Sequence, residues 1–366
     1  MSKSSGVDKT FLILIISLLV IGFAFFISAS MGIFAKDSAQ FSSIAFKQGF
    51  FGIILGLITC FVFSKINYKF FKKYALPIFI VSLLVCVIIF IPGVGVSLNG
   101  AKRWIVIFGL SFQPVALLNI GFTIYWAAWL THVKEKVADR KNGLYPLVVI
   151  LSIIGVLLLK QPDTDSFFII AATGVAMFLI AGGKIKDVLW LGLISIVCLA
   201  IIAFSRPYVM SRIETFINPS ANSLTSGYQL QQSLIAVGSG QFSGRGFGQS
   251  VQKYKFLPES ISDSIFAVLG EEVGFLGCII IIGLFLFFIF RGFRISVKAP
   301  DTFSGLLVAG IVILISLQSF INIASTLGII PFSGVPLAFF SQGGTSMLTM
   351  LAQLGIVLNV SRFSKM

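Results

Sequence analysis

Apolar residues run with almost no charged interruption through ten stretches, at about residues 10–34, 48–64, 75–92, 113–131, 144–159, 167–183, 188–204, 264–290, 303–326 and 340–360. A helix needs about 20 mainly apolar residues to cross a hydrocarbon core. The pattern therefore predicts an all-α polytopic membrane protein of about ten transmembrane helices, forming a single membrane domain over residues 1–366. The first run is about 25 residues long and lacks a small-residue cleavage site, so it is read as a span and not as a signal peptide. Between the seventh and eighth runs lies one long connection, residues 205–263. Loops of that length are functional or disordered. Tyr228, Leu230, Leu234, Phe247, Tyr254 and Phe256 are apolar anchors that a free linker would not need, so this one is read as ordered and functional.

Composition agrees and narrows the class. With 57% apolar and 11% charged residues, 39 Phe and a mean hydropathy of +1.02, the chain lacks the polar surface of a soluble domain. Its net charge of +14 would suggest nucleic acid in a soluble protein, but here the location of the positives decides. Seventeen Lys and Arg fall on the side of both termini and ten on the other, half of those in the long loop. Both termini are expected to be cytoplasmic, the 205–263 loop external, and the positive balance to be topology, with no nucleic-acid partner. Cys60, Cys86, Cys198 and Cys278 sit singly inside apolar runs and read as packing residues. His132 lies in a Lys-rich cytoplasmic loop and is expected to be solvated. No internal repeat is apparent, so the inverted-repeat signature of many transporters is missing.

Ionisable groups at membrane depth are expensive and mark candidate chemistry. Asp263 stands where the long loop re-enters the membrane, and reads equally as a helix cap or as an acid/base group. Glu271, two turns further on, and Glu272 read as a buried pair held by a basic partner. Lys102 and Arg103 precede Trp104; they could hold a phosphate, Arg103 as a fork and Lys102 as a point charge, or grip lipid headgroups as an interfacial belt. Gln161-Pro162-Asp163-Thr164-Asp165-Ser166 places two carboxylates in a short turn that could take a divalent cation or start the next helix. Ser341-Gln342-Gly343-Gly344-Thr345-Ser346 opens the tenth span, where small residues permit close helix packing.

Taken together, Gly227-Tyr228-Gln229-Leu230-Gln231-Gln232-Ser233, Gly246-Phe247-Gly248-Gln249-Ser250-Val251-Gln252-Lys253, Phe256-Leu257-Pro258-Glu259 and Asp263 followed by Ile265-Phe266-Ala267-Val268-Leu269-Gly270-Glu271-Glu272 resemble the SEDS family of FtsW, RodA and SpoVE. Gly100-Ala101-Lys102-Arg103-Trp104, Gln113-Pro114, Gln161-Pro162-Asp163, Arg212-Ile213 and Leu358-Asn359-Val360-Ser361-Arg362 fit the same pattern, the Gln252-Lys253 pair and the C-terminal motif leaning toward the FtsW/SpoVE branch. The resemblance implies a ten-helix glycosyltransferase of the bacterial plasma membrane. It would polymerise lipid II into peptidoglycan strands for cell division or wall synthesis, beside a class B penicillin-binding protein (a transpeptidase) and other division or elongation proteins. It also implies Asp263 as the base that takes the proton from an acceptor sugar hydroxyl, with Lys102, Arg103, Arg212 and Lys253, or a divalent cation such as Mg²⁺ or Mn²⁺, assisting the departing pyrophosphate. Gln113, Asp163 and Glu271 complete the expected substrate-binding set. The family's membrane-depth Glu and Lys are replaced here by Ala116 and Asn119; losing both together is milder than losing one, since a lone buried charge is costly. A lipid-linked precursor flippase and a weakly active division scaffold are the rival readings.

Overall fold

The computed structural model describes residues 6–35, 37–98, 101–107, 110–193, 207–218, 226–254 and 256–364. The apolar runs become helices. α1 (Lys9–Phe34) is followed by α2 (Ser38–Phe46), which passes through a π-helical stretch, Lys47–Ile54, into α3 (Leu55–Lys65) as one continuous rod. Then come α4 (Tyr68–Lys73), α5 (Ala75–Ile88), α6 (Pro114–Val133), α7 (Leu144–Lys160), α8 (Thr164–Ile180) and α9, helical over 185–193. The rest of the predicted seventh span lies outside the described residues. Two helices, α10 (Pro207–Ile217) and α11 (Ser226–Ser239), lie within the long connection, and α12 (Ile265–Val297), α13 (Thr302–Thr326) and α14 (Gly344–Ser361) complete the bundle. Among the described residues six rods are long and apolar enough to span a membrane, and α5, α7 and α8 are shorter apolar helices. The protein is a multi-pass membrane protein. Cys60 and Cys86 are buried and unbonded, as expected, whereas Cys198 lies outside the described residues.

Helix starts follow local chemistry. Asp301 caps α13 in a reciprocal capping box with Ser304, and Asp8 caps α1 while pairing with Arg291 of α12 at 2.7 Å. α6 opens on Pro114, whose missing N–H costs nothing at that position and which holds Gln113 extended. One feature departs from an all-helical reading. Residues Gly95–Leu98, Ala101–Ile107 and Leu110–Phe112 form a three-stranded antiparallel meander, β1-β2-β3, between α5 and α6. The aromatic and β-branched run Trp-Ile-Val-Ile of β2 suits a strand, but a hydropathy reading sees only a connection between spans.

α12 organises the long connection. Gly274, at φ 63° and ψ −165°, breaks it into two segments. A break in an apolar helix strips backbone groups of their partners where no water can replace them. The glycine-rich stretch supplies those partners. Arg245 and Gly246 donate N–H bonds to the carbonyls of Glu271 and Glu272, both at 3.0 Å, while the N–H groups of Phe275 and Leu276 donate to Gln241 and Phe242 at 2.9 and 3.2 Å. The fit demands glycine: a Cβ on Gly240 would sit 2.0 Å from the Gly270 carbonyl oxygen.

The two glutamates just before the break fasten the loop. Glu271 accepts from the Ser250 hydroxyl at 2.6 Å and from the N–H groups of Val251 and Gln252 at 3.2 Å, with Arg245 at 3.5 Å. Glu272 and Lys253 form an ion pair at 2.8 Å with both side chains 0% exposed. The Lys253 ammonium uses all three of its donors, on Glu272, on Ser28 of α1 at 3.0 Å and on the Gly248 carbonyl at 2.8 Å. The expected buried pair with a basic partner is thus present. Removing one partner of such a pair strands a buried charge, at a cost of about 3–5 kcal/mol, whereas replacing both by apolar groups is often neutral. Lys253→Met should therefore lower the thermal unfolding midpoint sharply, and Lys253→Met combined with Glu272→Leu should recover most of it. A double variant no more stable than the single would show that the pair contributes through something other than mutual charge compensation.

Candidate active site

A polar cleft opens where α6, α8 and α14 begin and toward the end of α13, walled in addition by the segment around Gly334. Its polar residues come from elements far apart in sequence. The β1–β2 register skips Arg103, and at this irregularity Lys102 is exposed while Arg103 is half-buried. Only Arg103 lines the cleft, so Lys102 drops out of the expected substrate-binding set and keeps the interfacial reading. Arg103 clasps the turn before α8, donating to the Pro162 carbonyl and, at 3.4 Å, to that of Gln161. That turn carries Asp163, 3% exposed, which accepts from the Ser166 N–H at 3.3 Å and the Ser166 hydroxyl at 3.0 Å. Asp163 thus starts α8, as one of its two readings has it, and also lines the cleft. Burial raises its carboxyl above the ordinary range, with Arg103 the main opposing influence. Gln113, extended ahead of Pro114, lines the cleft as well.

Asp165, the second carboxylate of that turn, joins these. It pairs with Arg212 of α10 at 2.9 Å and accepts the Gly334 N–H at 3.3 Å. Asp263 borders the same glycine: a Cβ on Gly334 would lie 3.4 Å from the Asp263 Oδ2 and 4.0 Å from an Arg212 nitrogen. Asp263 and the Arg212–Asp165 pair therefore meet across one glycine at the cleft wall. Capping does not describe Asp263, because Ser264 occupies the N-cap of α12 and no side chain caps that end. Burial, and then the charges of Glu259 and Asp165, push the Asp263 carboxyl up to about 7, against the pull of Arg212 and Arg103. Because the fold favours the protonated form, Asp263 weakens the fold progressively as pH rises from 3.8 through about 7, and it is an ionised base only toward and above the upper value.

Two amides on α13 hold the site in place. The Asn322 side chain, 0% exposed, donates to the Asp263 carbonyl at 2.8 Å and to the Val335 carbonyl at 2.7 Å. One turn earlier, Gln318 donates to the Pro336 carbonyl at 3.1 Å. From the start of α14 the Ser341 hydroxyl donates to Ser262, and the Gln342 N–H donates to Ile261 at 2.8 Å. None of these positioning residues was anticipated, although an Asn and a Gln four apart in an otherwise apolar 25-residue helix is a visible signal. Lys253 and Glu271, by contrast, are spent on fastening the glycine-rich loop and leave no donor or acceptor pattern directed at the cleft. The structure directs neither side chain to the cleft where the expected leaving-group and substrate roles would place it. His132 is exposed, as expected.

The carboxylates do not assemble a metal site. Among the described residues no group of three or more such ligands gathers, Asp163 is engaged by Ser166, and Asp165 by Arg212. A resident divalent ion does not fit this donor set, and no step is derived through one.

Residues 9–366 match the family FTSW_RODA_SPOVE, described as a cell cycle protein. The chain belongs to this family. Its FtsW/RodA/SpoVE relatives include the "Probable peptidoglycan glycosyltransferase FtsW" of Geobacter sp. (strain M18), 34% identical over 99% of this chain and 98% of that protein. Stage V sporulation protein E of Bacillus subtilis (strain 168) is 33% identical over 100% of this chain and 99% of its own length. The fold superposes on RodA of Thermus thermophilus with a TM-score of 0.72 at 24% identity, covering 97% of each chain. It also superposes on a chain of a peptidoglycan synthase complex that coordinates polymerization and crosslinking, with a TM-score of 0.80 at 23% identity, covering 97% of this chain and 98% of that one.

Proposed function

We propose that this FtsW/RodA/SpoVE member is a peptidoglycan glycosyltransferase that polymerises lipid II at the outer leaflet, with Asp263 as general base. The observation that carries the reading is the placement of Asp263: a carboxyl lifted to about 7, beside an arginine–carboxylate pair, next to the Gly334 that lines a polar cleft in a membrane bundle. A base is most useful when its pKa lies near the working pH. Asp263 takes the proton of the acceptor sugar hydroxyl as that oxygen bonds the donor's anomeric carbon. The anomeric carbon's bond to the pyrophosphate oxygen breaks, and the lipid pyrophosphate departs with that electron pair. Arg103 and Arg212 are the cations near enough to the cleft to meet the growing negative charge. The relatives' names and the synthase-complex neighbour support a glycosyltransferase working beside a crosslinking partner, for which a class B penicillin-binding protein is the expected kind. The positive-inside count supports cytoplasmic termini and an external 205–263 segment.

Each element has a direct test. Asp263→Asn keeps the side chain's shape but removes the base, and polymerisation of purified lipid II should fall by a factor on the order of 10² or more; a wild-type rate would end the base assignment, and lipid II movement between leaflets of vesicles without polymer would favour a flippase. The rate should climb with pH through a midpoint near 7, since only ionised Asp263 accepts a proton. Glu259→Gln removes a repelling charge and should shift that midpoint downward; an unmoved or raised midpoint would contradict the electrostatic account. For orientation, a cysteine introduced at Ser243 should react with an impermeant thiol reagent in intact cells, and one at Asn142 only after permeabilisation. The reverse pattern would invert the topology.

A further inference from the structure

The cleft has a second set of polar lining residues that the chemistry above does not use. Besides Arg103, Asp163 and Asp165 it is lined by Gln113, Asn119 and Gln318, three uncharged amides. Asn119 lies one helical turn beyond Val115 and Ala116 on the same face of α6, and both of these neighbours are apolar. Its Oδ1 is shielded from solvent and has no hydrogen-bond partner, while its backbone carbonyl serves the Thr123 hydroxyl at 2.7 Å. A desolvated amide oxygen without a donor is a standing cost to the fold, so its presence on a cavity wall marks a place where a ligand supplies the missing group. Turning the amide over would exchange an unpaired acceptor for an unpaired donor and leave the same demand.

The charges say what kind of group that is. Asp165 is paired with Arg212, and Asp163 is engaged by Ser166 beside Arg103. No excess negative charge is left over to favour an ammonium at Asn119, and no cation bonds its amide oxygen to favour an anion. A neutral donor and acceptor, such as a hydroxyl or an acylamino group, fits. We propose that these amides receive the saccharide of the lipid-linked substrate, and that Asn119 binds it through a hydrogen bond to a hydroxyl or acylamino N–H, leaving the pyrophosphate to the charged residues. This inference rests on the proposed function, since it names the part of that substrate each set holds. It also assigns a use to a position where an uncharged Asn stands without an ion-pair partner.

The test compares the full chain with Asn119→Leu and Asn119→Ala, using lipid II and a polyprenyl pyrophosphate that carries no sugar. Both variants should raise the KM for lipid II roughly tenfold, the scale of one lost hydrogen bond of about 1.4 kcal/mol. Binding of the sugar-free pyrophosphate, read from ligand-induced thermal stabilisation, should match wild type. Without ligand, Asn119→Leu should unfold at or above the wild-type temperature, because no existing bond is removed. That combination, a fold no weaker and a saccharide bound less well, is one a structural residue would not produce. An unchanged KM in both variants, or equal loss for lipid II and for the sugar-free ligand, would overturn the proposal. A wild-type protein that polymerises nothing would overturn the glycosyltransferase reading instead, and the difference in stabilisation between the two ligands would still decide the role of Asn119.

Discussion

The break at Gly274 is the constraint on which the outer half of the molecule depends. An unbroken α12 of 33 residues would be about 50 Å long at 1.5 Å per residue, well beyond a hydrocarbon core of about 30 Å. Folding the first ten residues away from the rest keeps Ile265 to Gly274 inside the protein, almost all of them buried. The cost is a set of backbone groups at a depth where water does not serve them. The glycine-rich stretch repairs this with its own main chain, and Lys253 and Ser250 lock it down onto Glu272 and Glu271. Loop and helix thus complete one another. Asp263 stands directly at the start of the segment so fixed, and its position is a consequence of the repair.

Rigidity reaches the site from the opposite side through amides and not through charges. In α13, a helix enclosed by the bundle, Asn322 grips the carbonyls of Asp263 and Val335 with one amide, and Gln318 grips Pro336. Gln48, in the π-helical stretch, does likewise for α14, donating to the Ser341 carbonyl at 3.2 Å and accepting the Gly343 N–H at 3.0 Å. Neutral side chains can satisfy irregular backbone inside a membrane protein without the desolvation cost of an ion. They hold the segments that border the cleft while leaving its charge balance to Arg103, Asp163, Asp165 and Arg212.

How legible this was differs by kind of feature. The spans were readable because lipid demands continuous apolar length, and the described helices follow the predicted runs, although the rod from Ser38 starts ten residues early and α12 runs seven residues past its predicted end. Asp263, Arg103, Asp163, Gln113 and Arg212 were readable as polar groups next to spans, and the structure brings all five to one cleft or its border. Lys253 and Glu271 carry the same signal with a different outcome: a charged group near membrane depth signals importance, but not whether a ligand or a neighbouring loop satisfies it, and here the loop does. A register irregularity in β2 separated Lys102 from Arg103, and the strand itself was hidden in a segment read only for hydropathy. Asp165 and Asn322 act through contacts 169 and 59 residues away along the chain, which no local pattern encodes.

The tuning of Asp263 draws these strands of argument together. Arg212 and Asp165 act on it with opposite sign, and since they are bonded to each other, Asp263 feels them largely as a neutral pair. Glu259 is the larger of the repelling charges, but it is exposed, so salt screens it. What remains, and what acts most strongly, is burial. What packs beside Asp263 is the segment at Gly334, the Arg212–Asp165 pair and the α13 amide that ties its carbonyl to the bundle. The carboxyl's upward shift is therefore a property of how α10, α13 and the Gly334 segment close around it, more than of any single charged neighbour.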